Sequence, residues 1–362
     1  MEDRDAVLEI EDLVTYYHTE QGDVHAVEGV TLTLKENETL GLVGESGSGK
    51  STLAYSINRV LPDNGEVIDG EVRIDDVDLT ELSEKELREY RWTEISMIPQ
   101  SAMNALDPVY TIQDQIVEVL QAHRPISEKE AQERARELFD LVDLDEDRLT
   151  DYPHQFSGGM KQRAMIALAM ALDPKIILAD EPTTALDVII QERILRRIQE
   201  LQEDIESSMI LITHDISVVS ETCDRIAVMY GGNLVESSDT RTIINDAHHP
   251  YTLGLKNAFP TIDTDEQELI SIPGEAPDLT EPEDKCMFAP RCPFAIERCR
   301  KESPERREIE DGHFVECHRA DEVEMLQAEA AKPETWRGDH TPPKPDEYGD
   351  TTDEYGDTIG EQ

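Results

Sequence analysis

The residues best equipped for chemistry form the run GESGSGKST at positions 44–52, directly after the apolar stretch TLGLV. Gly44, Gly49, Lys50 and Ser51 satisfy the spacing G-x-x-x-x-G-K-[ST]. Glycines at this spacing let the backbone curl until its N–H groups face phosphate oxygens, and a following helix adds its positive end. Ser46 and Gly47 are further contact positions in the loop. Lys50 supplies a point charge to the outer phosphates, the Ser51 hydroxyl is placed to ligate magnesium, and Thr52 adds a phosphate contact. A plain glycine-rich turn is the rival reading, and the strand before and helix after the loop disfavour it.

Two carboxylates form a second constellation. Ile176, Ile177, Leu178 and Ala179 end in Asp180 and Glu181, the pattern of a buried central strand delivering acids at its C-terminal tip. Asp180 can hold magnesium through water, and Glu181 can polarise an attacking water. Taken alone, the pair could equally serve as acidic residues at a helix N-terminus. His214 follows another apolar strand in LITHD. A lone histidine there is usually an ordinary surface or core residue, but its place downstream of the acidic pair gives it a role beside them.

Cysteine supplies the third constellation. Cys286, Cys292, Cys299 and Cys317 form a C-x5-C-x6-C-x17-C array, while Cys223 stands alone in ETCDR as a buried apolar filler. Four clustered thiols point to a metal site more than to disulfides if the protein is cytosolic. Zinc sites favour close cysteine pairs, which this array lacks, so a [4Fe-4S] cluster fits better, with zinc as the alternative. His313 and His318 are candidate substitutes for one ligand.

The elements that must position these groups are legible as alternating patterns. From about Leu8 to Tyr230, short β-rich runs such as KIILAD, MILITH and RIAVMY alternate with amphipathic stretches, which predicts an α/β sheet with helices packed on it. Residues 96–171 break the rhythm with helix formers and charges, KEAQERARELFDLV among them, and read as a helical insertion. The expected division is a phosphate-binding domain over 6–258, a separate small cysteine module over 259–325, and a tail over 326–362. The tail is proline-rich and acidic from about Lys332 and nearly repeats itself in DEYGDTTDEYGDT, so it should lack order.

Composition narrows the partners. The 362 residues hold 81 acidic against 33 basic side chains, a formal net charge of -48, which excludes a broad basic surface for nucleic acid or anionic lipid. Such a balance suits a protein kept in concentrated salt, where self-repulsion is screened; an acidic protein of an ordinary cytosol is the plainer alternative. No run approaches the roughly 18 apolar residues of a membrane span, and the opening MEDRDAVLEI is acidic. The expectation is a soluble cytoplasmic chain that meets a membrane only through a partner.

The element that selects a family is FSGGMKQR at 156–163. It resembles the signature of ABC ATPases, with Ser157, Gly158 and Gly159 matching the common core and Met160 standing where many members carry Gln. Met at this place is usual in the branch serving oligopeptide and dipeptide importers. Physically, Ser157 can cap a helix and the glycines clear space for an anion. In order along the chain, Gln100 in MIPQ resembles the Q-loop, Asp187 in TALD the D-loop, and His214 the switch histidine.

The resemblance runs from about Leu8 to His318 and carries further implications. ATP and Mg2+ would be the cofactors, with Glu181, His214 and Gln100 catalytic, Gln100 also sensing the magnesium held by Ser51 and Asp180, and Tyr17 stacking on adenine, Tyr16 being the runner-up. Signature residues Ser157 to Met160 would face ATP bound on a second, related ATPase, so that a heterodimer acts beneath two permease subunits. Cargo would arrive from an extracellular substrate-binding protein, and this chain would sit on the cytoplasmic face of the membrane. QSAMNALDPVYTI would meet the permease, and CMFAPRCPFA echoes an extension that binds an iron-sulfur cluster in the branch. Peptides are the expected cargo, with nickel complexes or oligosaccharides served by close relatives, and the acidic balance suggests a halophilic archaeon. A non-transport ABC ATPase would usually carry tandem cassettes or a long coiled coil, and neither is present. The joint presence of Lys50, Glu181 and His214 argues against a degenerate, regulatory site.

Overall fold

The shortest apolar runs become the most deeply buried strands. In the computed structural model, which describes residues 5–100, 105–183, 188–258, 270–280 and 285–337, β3 (Thr39–Val43) and β7 (Ile176–Asp180) are buried along their whole length. They lie in one sheet with β6 (Ile95–Ile98), β8 (Ser208–Thr213), β9 (Arg225–Tyr230), β10 (Asn233–Asp239), β11 (Arg307–Glu310) and β12 (His313–Val315). The strand order is β11-β12-β10-β9-β3-β8-β7-β6, parallel from β9 to β6 and antiparallel at the other end. A second, antiparallel sheet contains β1 (Ala6–Thr19), β2 (Gly22–Lys35), β4 (Gly65–Ile74) and β5 (Val77–Asp78).

Strand alternation sorts the core into two layers. Ile177 and Ala179 of β7 face one cluster with Phe139, Tyr251, Phe288, Phe294 and Trp336. Ile176 and Leu178 face the other, with Leu42 of β3, Leu8, Leu13 and Val30 of the antiparallel sheet, and Leu53 of the phosphate-loop helix. The parallel sheet is therefore covered on both faces, which is what its uninterrupted apolar strands require.

Register brings the strand ends together. Val43 pairs with Thr213 and Val228, Asp180 with Ile212, and Ile98 with Ala179. The loops leaving β3, β6, β7 and β8 therefore emerge at one edge of the sheet.

The helical insertion is present, with one boundary moved. Ser96 lies inside β6 and belongs to the sheet; the helices Ile112–His123, Glu128–Leu141 and Gly158–Ala169 make up the insertion. The predicted amphipathic helix starts at Ser127, whose side chain and Glu130 cap each other, and it buries Ala131, Ala135, Leu138 and Phe139.

The cysteine region departs from the expectation of a separate module. β12 pairs antiparallel with β10, Glu236 opposite Val315 and Ser237 opposite Phe314, so it extends the phosphate-loop sheet itself. Buried Glu236 reinforces the join by accepting from the backbone N–H groups of His248 and His249 and pairing with His313 Nε2 at 3.0 Å. The tail expectation is corrected as well: Val323–Ala330 is helical and Pro333–Trp336 forms a helical turn. There Trp336 packs edge-on against Phe294 and donates from Nε1 to Ala330 O. Residues 338–362 lie outside the described residues.

Candidate functional site

The loop after β3 has the backbone a phosphate cradle needs. Gly47 and Gly49 adopt φ of 80° and 102°, values that side chains rarely tolerate. A Cβ at Gly44 would lie 2.1 Å from Met229 O, and one at Gly49 would lie 2.1 Å from Ala26 O. The helix Lys50–Ile57 starts at once after Gly49. Lys50 Nζ donates to Gly44 O and Glu45 O at 2.8 Å each and to Ser48 Oγ at 3.3 Å. Burial pulls the Lys50 ammonium down to about 8, against the opposing attraction of Glu181, Asp180 and Glu45. Ser46 and Gly47 are exposed at the loop's tip, while Thr52 is buried.

The Ser51 hydroxyl donates to Asp180 Oδ1 at 3.1 Å. Asp180 is fully buried, burial raises its pKa, and its Oδ2 lacks a hydrogen-bond partner among the described residues. A buried carboxylate oxygen left open beside a hydroxyl is a pair of hard oxygen donors, which suits magnesium. Glu181, the next residue, has a positive φ of 45° and is pinned by its N–H to Ile212 O at 2.9 Å. One carboxylate oxygen accepts from Gln100 Nε2 at 2.9 Å, and the other lies 3.0 Å from His214 Nδ1. The structure thus brings Gln100, Glu181 and His214 into one hydrogen-bonded set, with Lys50 and Asp180 alongside. A cleft lined by Glu181, Thr183, Thr213, His214 and Asp215 opens beside them.

Ser157 caps the helix Gly158–Ala169, its Oγ accepting from the Met160 N–H at 3.3 Å. Gln162, two residues beyond Met160 and buried, donates to Pro182 O, tying the signature helix to the residue after Glu181. Asp187 lies outside the described residues. Tyr17 pairs in register with Gly65, and its ring occupies the space a Cβ at Gly65 would need. Tyr16 is committed elsewhere, against His25 at 3.8 Å between ring centroids and towards Glu28.

The four thiols are neighbours. Burial is the main cause that pushes Cys286 up to about 11, Cys317 up to about 12 and Cys292 well above its ordinary value, and their mutual proximity adds to it. The Arg319 N–H donates to Cys317 Sγ at 3.4 Å, and the Ala289 N–H donates to Cys286 O at 3.0 Å. Among the described residues, no three His, Cys, Asp or Glu side chains are drawn together as metal ligands. His313 is engaged with Glu236, and His318 Nε2 lies 3.0 Å from Glu302 O, so neither substitutes for a thiol. Cys223 is buried against Gly41, as its lone position suggested.

Sequence reasoning missed Glu45, Tyr251 and Arg291. Glu45 donates its N–H to Tyr251 Oη at 2.8 Å and pairs through both carboxylate oxygens with Arg291 at 2.6 and 2.9 Å. Their signal was only that Glu45 lies within the loop and Arg291 within CMFAPRCPFA.

A phosphate loop, an Asp-Glu strand end, and a glutamine and histidine on that glutamate define a P-loop nucleotide site, and the capped SGG helix makes it one of ABC type. The ABC transporter family matches residues 27–184, and the oligopeptide/dipeptide transporter C-terminal region matches residues 235–299. A probable peptide ABC transporter ATP-binding protein of Sinorhizobium fredii is 46% identical over 326 residues, covering 89% of this chain and 97% of that protein. The oligopeptide transport ATP-binding protein OppD of Bacillus subtilis is 44% identical over 313 residues, 85% of this chain and 87% of that one. Among solved structures, a dimeric ATP-binding cassette in a post-hydrolysis state bound to ADP and Pi aligns with a TM-score of 0.59 at 31% identity, covering 65% of this chain and 99% of that chain. The chain belongs to the ABC transporter ATP-binding proteins of the oligopeptide and dipeptide branch. It is an ABC-type ATPase.

Proposed function

We propose that this chain hydrolyses ATP on the cytoplasmic face of a membrane to drive import of short peptides through permease partners. The observation that carries the reading is the convergence of Gln100 and His214 on Glu181 beside Lys50 and Asp180. Lys50 neutralises phosphate charge, and the glycine loop and helix N-terminus receive the remaining oxygens. Ser51 and Asp180 would hold magnesium, which supplies charge neutralisation between the outer phosphates. Glu181 is the general base. Gln100 and His214 each occupy one of its oxygens, which orients the carboxylate while leaving lone pairs to accept a water's proton. Tyr17 is the adenine platform of choice because Tyr16 is already occupied.

Ser157, Gly158, Gly159 and Met160 would complete an ATP site on a second, related ATPase, giving a heterodimer with Asp187 at its seam. Val109 and Tyr110, 69% and 51% exposed, are apolar side chains of the kind a permease helix would cover. No described helix is long and apolar enough to cross a membrane, so attachment runs through the permeases, with an extracellular binding protein delivering cargo. The acidic balance supports a halophilic source. The C-x5-C-x6-C-x17-C array and the Arg319 N–H donated to Cys317 Sγ support a [4Fe-4S] site formed by Cys286, Cys292, Cys299 and Cys317, with zinc as the alternative metal; among the described residues no three of these thiols are drawn together, so binding would have to gather them. Reconstitution with permeases and binding protein tests the whole reading: peptide-loaded binding protein should stimulate ATP hydrolysis, and stimulation only by nickel complexes or oligosaccharides would overturn the cargo.

A further inference from the structure

We infer that Arg291, contributed by the cysteine region, is a positioning residue for the phosphate loop: it neutralises and holds Glu45 so that the loop can accept a polyanion. The inference rests on the nucleotide reading of that loop.

Glu45 stands between Gly44 and Ser46, inside the loop whose amides must face phosphate. A free carboxylate there would repel the ligand and compete for Lys50, whose ammonium already binds the Glu45 carbonyl. The geometry removes that conflict. Arg291, with a side chain only 7% exposed, faces Glu45 with two nitrogens on two oxygens, the bidentate fit that guanidinium makes with carboxylate. Arg291 is itself anchored, donating from Nε to Pro273 O at 2.8 Å and from Nη1 to Tyr230 Oη at 3.3 Å. Tyr251 meanwhile takes the Glu45 N–H. Carboxylate, amide and carbonyl of Glu45 are thus each assigned a partner, and two of the three come from beyond β10. Glu45 and Arg291 are 246 positions apart, so the chain's C-terminal third closes on its N-terminal loop.

The test is Mg-ATP binding to the full chain by calorimetry, with unfolding followed in parallel. Arg291→Gln should weaken binding by about tenfold, the effect of uncovering a unit charge in a partly screened site. Glu45→Gln, which keeps Arg291 and its other anchors, should bind more tightly than wild type, because the guanidinium charge beside the loop is then uncompensated. The double variant should recover most of the loss. Unchanged affinity in Arg291→Gln, unchanged or weakened affinity in Glu45→Gln, or a double variant as weak as Arg291→Gln would each overturn the charge role. Should Arg291→Gln fail to fold, the Glu45→Gln result decides alone. Failure of wild type to bind Mg-ATP would instead contradict the nucleotide reading, whereas wild-type binding with an unaffected Arg291→Gln contradicts only this inference.

Discussion

His214 Nδ1 lies 3.0 Å from Glu181 Oε1, so the side chains proposed as switch and general base are in direct contact. Replacing Glu181 with Gln keeps the shape and a donor-acceptor pair but removes the base. Turnover should fall by about 10²–10⁴-fold while ATP binding persists. Single-turnover hydrolysis and nucleotide retention measure this, and near-normal turnover would remove Glu181 from the role.

Lys50 gives nucleotide binding a definite pH signature. Its ammonium is lowered to about 8 mainly by burial, and bound phosphate favours the charged form. Below that pH the group is already protonated and contributes no slope. Above it, binding must take up a proton, so affinity falls as pH rises. Calorimetry in buffers of different ionisation enthalpy should report proton uptake above pH 8, and Lys50→Arg should lack it because guanidinium stays charged.

Trp336 makes the start of the supposed tail structural. It is 3% exposed, and its ring lies where a Cβ at Gly254 would come to 2.6 Å. Trp336→Ala should cost about 3–5 kcal/mol in urea unfolding. Removal of residues 338–362 provides the contrast and should leave the Trp336 contacts and ATP binding intact.

Cysteine chemistry is decided by analysis of anaerobically purified protein. Iron and sulfide in equal amounts, lost in Cys292→Ser, is the expected result. Zinc in their place would select the alternative, and thiols without any metal would remove the site.

Salt supplies a further check. With a net charge of -48, the melting temperature should climb towards molar KCl, where the Debye length shrinks to about 3 Å. A flat or falling melting temperature would count against a halophilic source.

Motif order made much of the nucleotide site legible before any coordinates. Apolar strands followed by GESGSGKST, DE and THD fix which residues leave the sheet together, because parallel register aligns Val43, Asp180 and Thr213. Long-range pairings were not legible. Nothing local announces that His313–Val315 joins β10, since a three-residue strand carries almost no pattern. Arg291 and Glu45 read as an ordinary loop cation and loop anion until folding opposes them. Order at the beginning of the tail is invisible to composition, which averages over a window, whereas one tryptophan suffices to dock a turn.

The late pairing of β12 also bears on synthesis. A ribosome releases β10 well before residues 313–315, so the nascent ATPase sheet carries an unpaired edge through that interval, the kind of edge that invites association with other chains. Once β12 arrives, the exposed border passes to β11, where Arg307, Glu308 and Glu310 place charges along it and discourage further strand addition. Premature termination between the two strands would therefore yield a sticky fragment rather than a smaller working ATPase.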